Sequence, residues 1–109
     1  MDAFHWYTSH ATVMDMARLS GDQVVYVHLN DAVAGRDADQ QIDNERHLPG
    51  TTGLIDIVGF LQALDQIGFD GPVAVEPFDE AVRRLEPAER VRLAAESLAR
   101  VLRQAGLHT

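Results

Sequence analysis

The sequence has no cysteine. Disulfides, zinc–thiolate sites and thiol catalysis are therefore excluded. It also has no lysine, so all nine cations are arginines. Against them stand 17 Asp and Glu residues, giving a net charge of −8. Such a surface repels nucleic acid phosphate and anionic lipid. The only basic pair, Arg83-Arg84, reads as a solvated helix face. No apolar run approaches the ~20 residues of a membrane-spanning helix. The opening Met1-Asp2-Ala3-Phe4-His5 lacks the basic and apolar regions of a secretion signal. The expectation is a cytoplasmic protein that engages neither nucleic acid nor membrane.

What is present is ordinary for a folded domain: 109 residues, 46% apolar and 24% charged. Two apolar segments read as buried parallel strands, Val24–Leu29 and Pro72–Glu76. Ala3-Phe4 reads as the tail of another strand. Three segments carry helical periodicity. Ala11–Leu19 places Val13, Met16 and Ala17 on one face. Ile55–Ile67 does so with Ile57, Leu61 and Leu64, capped by Asp56 and stopped by Gly68. Ala88–Ala105 does so with Val91, Ala95, Leu98 and Leu102, between Pro87 and Gly106.

Alternating strands and helices imply an α/β fold with parallel strands and helical crossovers. One connection, Asn30–Gly53, is unusually long, which often marks function. Parallel strands open their C-terminal ends onto one side, where α/β sites lie. Asp2 and His5 fall at the first strand end, His28 at the second and Glu76 at the third. Two carboxylates and an imidazole suit Mn²⁺, Mg²⁺, Co²⁺ or Zn²⁺. A histidine in an apolar strand also fits a satisfied core residue, and Glu76 a salt-bridge partner. Spacing alone leaves these readings open.

Four stretches then occur in order: Asp2-Ala3-Phe4-His5-Trp6-Tyr7, Val27-His28-Leu29-Asn30-Asp31, Arg46-His47-Leu48-Pro49-Gly50 and Gly68–Phe78. Together the chain resembles the C-terminal part of the xylose isomerase-like TIM-barrel family, which includes sugar phosphate isomerases and epimerases. The resemblance implies a (β/α)₈ barrel of which this chain forms about three units. It implies a divalent metal, Mn²⁺ first, held by Asp2, His28 and Glu76. It gives His5 and Arg46 to substrate binding and Glu76 to acid–base catalysis. The implied reaction is metal-assisted proton transfer beside the carbonyl of a keto-sugar or inositol-derived substrate.

Two features depart from the family pattern. Its first Glu ligand belongs to an earlier strand, and Pro49-Gly50 is followed by Thr51-Thr52-Gly53 rather than Glu-Gly. A complete barrel needs roughly 250 residues. Residues 1–109 are therefore expected to be a single C-terminal fragment, weak or inactive alone, that self-associates through exposed sheet edges and helix faces. Two alternatives stand beside the isomerase. One is a truncated non-catalytic or assembly-dependent piece. The other is an endonuclease IV-like apurinic endonuclease, suggested by His28–Asp31 and Glu45-Arg46-His47. That enzyme needs three zinc ions and a basic DNA surface, which the net charge opposes.

Overall fold

A computed structural model describes residues 1–107. Two strands, β1 (Val27–Leu29) and β2 (Val73–Val75), pair in parallel, with His28 opposite Ala74. Asp2 adds a single parallel bridge to His28 on the other side of β1. The helices are α1 (Ala3–Thr8), α2 (Val13–Met16), α3 (Ile57–Gln66), α4 (Glu80–Arg83) and α5 (Pro87–Gln104). None is long and apolar enough to cross a membrane.

Residues of period two divide the strands between two faces. Val27 and Leu29 are fully buried against the helices, while His28 and Ala74 point to the other side. The core lies on the helical side, where Phe60, Leu61 and Leu64 of α3 meet Val101 of α5, Phe4 of α1 and Met16 of α2. A radius of gyration of 13.5 Å matches the ~13 Å of a compact chain this long. The two strands and the helices packed on one face of them thus share one core.

Helix α3 forms as its sequence dictates. Asp56 accepts the Gly59 amide at 3.0 Å, and Ile57, Leu61 and Leu64 are buried. Gly68 ends the helix at φ +82, a conformation glycine adopts without penalty. A Cβ on Gly21 would lie only 2.4 Å from the Gly68 backbone, so the turn before β1 needs glycine to dock against this helix end.

Other expectations shift. Ala3-Phe4 is not strand: Asp2 caps a helix there, and only Asp2 itself bridges β1. His5 consequently lies on the first turn of α1 rather than at a strand end. The 11–19 helix contracts to Val13–Met16, with Met16 buried and Val13 exposed. The expected Val24–Leu29 strand narrows to β1, Val27–Leu29, because Val25 and Tyr26 are exposed and lie outside the ladder to β2. On α5, Ser97 and Val101 are buried and Leu98 and Leu102 pack against the core. Val91 is left 69% exposed, since α4 provides only one short turn beside the start of α5.

Candidate metal centre

Strand register brings the central residues together. Asp2 bridges His28 directly. Glu76 follows β2 by one residue and donates its amide to Leu29 O at 2.9 Å. One ligand atom from each of Asp2, His28 and Glu76 lies within 4.8 Å of the others. The three side chains are 15%, 27% and 35% exposed, respectively, so they are sheltered yet reachable.

The Glu76 Oε2 oxygen lies 2.7 Å from His28 Nδ1. A carboxylate can only accept, so Nδ1 donates in this arrangement. Asp2 divides its oxygens between two tasks. Its Oδ1 accepts the Phe4 and His5 amides at 2.8 and 3.2 Å, completing the first turn of α1. Its Oδ2 faces His28 Nδ1 at 3.9 Å and accepts from Arg46 Nη1 at 2.8 Å.

Arg46 arrives from the long Asn30–Gly53 connection. Its backbone forms an antiparallel bridge to Phe78, and the next residue, His47, bridges Asp31. The guanidinium carbon lies 4.4 Å from the Phe4 ring centre and 5.2 Å from that of Phe78. Cation–π attraction and stacking hold a planar guanidinium well in such a slot. Arg46 Nε donates to Asp43 O at 2.6 Å and Nη2 to Asp43 Oδ1 at 2.7 Å. His5 Nε2 lies 3.1 Å from that same Asp43 oxygen and 3.3 Å from Arg46 Nη2. Asp2, His5, His28, Arg46 and Glu76 therefore occupy one cluster.

Burial pushes the Asp2 carboxyl up, but the Arg46 charge, the His5 amide and Asn30 outweigh it and hold the group below its ordinary 3.8. Asp2 is thus a carboxylate throughout the neutral range, as a metal ligand must be.

Three contributors were not singled out from sequence. Asn30 is fully buried and donates to Asp2 Oδ1 at 3.4 Å. It lies two residues beyond His28 in extended chain, so period two places it on the same side. Asp43 anchors Arg46 from three residues earlier, a spacing visible in the sequence. Asp79 accepts from His47 Nδ1 at 2.6 Å and from the Ala81 amide at 2.9 Å. Burial raises its carboxyl, but the His47 hydrogen bond and the α4 amides bring it below the ordinary value.

Residues 1–104 match the family described as xylose isomerase-like TIM barrel. An inosose isomerase of Bacillus licheniformis is 30% identical over 105 residues, which are 93% of this chain and 36% of the relative. An inosose isomerase of Bacillus velezensis is 29% identical over 100 residues, 88% of this chain and 34% of the relative. The fold superposes on a xylose isomerase domain protein from Alicyclobacillus acidocaldarius with TM-score 0.83 and 37% identity, covering 96% of this chain and 37% of that one. It also superposes on an IOLI protein described with a bound zinc atom, with TM-score 0.87 and 26% identity, again covering 96% and 37%. The chain spans about a third of the length of the curated relatives it matches. It belongs to the xylose isomerase-like TIM barrel family, and its fold is a partial barrel.

Proposed function

We propose that this chain is the C-terminal part of a metal-dependent sugar or polyol isomerase/epimerase. The observation that carries the proposal is the convergence of Asp2, His28 and Glu76 at the ends of parallel chain segments. The donor set of two carboxylates and an imidazole fits a divalent cation. Asp2 Oδ2, His28 Nδ1 and a Glu76 oxygen would hold it, Nδ1 first giving up the proton it shares with Glu76. When bound, the cation polarises the substrate's carbonyl and neighbouring hydroxyl oxygens as a Lewis acid.

The chain's own residues supply the rest. Glu76 accepts the C–H proton beside the carbonyl and returns it as the conjugate acid. Arg46 and His5 face the same space and hydrogen-bond the substrate oxygens on which negative charge develops. The aromatic slot of Phe4 and Phe78 keeps the guanidinium aimed there. Inversion at carbon needs a second acid/base group on the opposite face, which the family supplies from an earlier strand. Removal and return of a proton on one face needs only Glu76.

Isotope exchange is therefore the informative assay for the 109-residue chain. The protein, Mn²⁺ and a keto-inositol are incubated in D₂O, the paramagnetic ion is stripped from quenched samples, and proton NMR follows the C–H signal beside the carbonyl. Exchange above the metal-only background is expected, with a loss of about 100-fold in Glu76→Gln, typical of removing a general base. Equal rates for wild type and variant would contradict the role given to Glu76.

A further inference from the structure

Resting on the metal-site reading above, we propose that Arg46 is the resident counter-ion of the site. It yields Asp2 Oδ2 when a divalent cation binds, and Nη1 thereby becomes a free donor for substrate. Asp2 Oδ1 is already committed to the Phe4 and His5 amides. That leaves Oδ2 as the oxygen available to a cation, and Arg46 Nη1 sits on it at 2.8 Å. The same nitrogen lies 3.7 Å from Glu76 Oε1. One buried guanidinium nitrogen thus lies within ion-pair distance of both ligand carboxylates and offsets one of their two charges. A divalent ion and Nη1 compete for the same charge and the same oxygen.

The exchange needs only a swing of Asp2 Oδ2 about Oδ1, which the Phe4 and His5 amides hold. The α1 amides still orient Asp2 when the Arg46 contact breaks. Arg46 keeps its Nε and Nη2 bonds to Asp43 and its place between the two phenyl rings. Only Nη1 changes partner. Removing the guanidinium removes like-charge repulsion against the incoming cation, while the Asp2 ligand stays in place. Arg46 therefore lowers metal affinity, and cation binding prepares the residue for substrate.

Calorimetric titration of Mn²⁺ into wild type, Arg46→Gln and His28→Gln tests this. Arg46→Gln is expected to bind at least ten-fold more tightly than wild type, and His28→Gln to lose binding. Unchanged or weaker binding by a folded Arg46→Gln protein, with His28→Gln still deficient, overturns the proposal and leaves the metal site standing. Binding that ignores His28, or none at all, overturns both. Because Arg46 fills an aromatic slot, a second measurement uses wild type alone. Diamagnetic Zn²⁺ is added while ¹⁵N NMR follows the Arg46 Nη and His28 ring signals. Both should move together. Movement of His28 with Arg46 unchanged overturns the exchange.

Discussion

Two carboxylates, Asp31 at the end of the Val27–Asp31 stretch and Asp2 beside His28 within it, lead different lives. Asp31 is fully buried, and its oxygens accept four backbone amides: Ala32, Thr52, Gly53 and Ile55, at 2.8 to 3.1 Å. These donors are fixed parts of the chain. Asp31 thus closes the base of the long connection and holds its ends together. Asp2, bridged to His28, spends one oxygen on backbone amides and offers the other to side chains. Those partners can exchange. A saturated buried carboxylate stabilises a fold, and a half-committed one is available for chemistry.

The comparison breaks first at Asp31. Asp31→Ala orphans four amides, of which those of Ala32 and Ile55 are buried and cost about 1–3 kcal/mol each when left unpaired. With partial relaxation, a loss of about 4 kcal/mol is expected in urea denaturation, with little direct effect on metal binding by any folded fraction. A loss under about 1 kcal/mol would remove Asp31 from its structural role. Asp2→Asn should do the reverse. The amide can still cap α1, so stability should fall by only about 1 kcal/mol, while Mn²⁺ affinity drops at least ten-fold by calorimetry.

Acid sharpens the contrast further. The Asp2 and Asp79 carboxyls lie below their ordinary 3.8 in the folded protein. A depressed folded value stabilises the protein above the unfolded value, and that contribution disappears as pH falls through the folded one. Stability should therefore decline below about pH 4. Asp79→Asn should flatten part of that acid limb, which denaturation curves between pH 2 and 6 would register. At neutral pH the loss of the Asp79 cap in Asp79→Ala is expected to cost about 1 kcal/mol, read as a lowered denaturation midpoint.

The smallest expected effect concerns the open surfaces. Val25 and Val91 are 77% and 69% exposed. Val25→Asp should change monomer stability by no more than about 0.5 kcal/mol. Light scattering after size exclusion should nevertheless show self-association in wild type and less of it in the variant. A wild-type monomer at all concentrations would count against association through this exposed surface.

Much of this was legible in the residues, for identifiable reasons. Asp56, the Ile57–Leu61–Leu64 stripe and Gly68 specify α3 locally, and they agree with its packing. Val27 and Leu29 alternate with His28 and so betray which side faces the core. The site residues were named from strand ends and family motifs. Their meeting depends on register, which a local pattern does not contain. Helix α1 escaped because Ala3-Phe4 is too short to show a period, although Asp2 is a favourable cap. The ribbon joining Asp31, Arg46–His47 and Phe78 escaped because isolated bridges between distant segments leave no periodic trace. The Arg46 slot follows from that ribbon. On α5, Leu98 and Leu102 pack against the core as the periodicity implied, joined by Ser97 and Val101, while Val91 is left out.

The most direct test of the central claim is a Zn²⁺ titration followed by ¹H–¹⁵N NMR on the whole chain. Saturable shifts should centre on Asp2, His28 and Glu76, extend to Arg46, and leave the amides around Asp31 nearly unmoved. Shifts that centre elsewhere, or no saturable shift at millimolar Zn²⁺, would contradict a divalent-cation site at these strand ends.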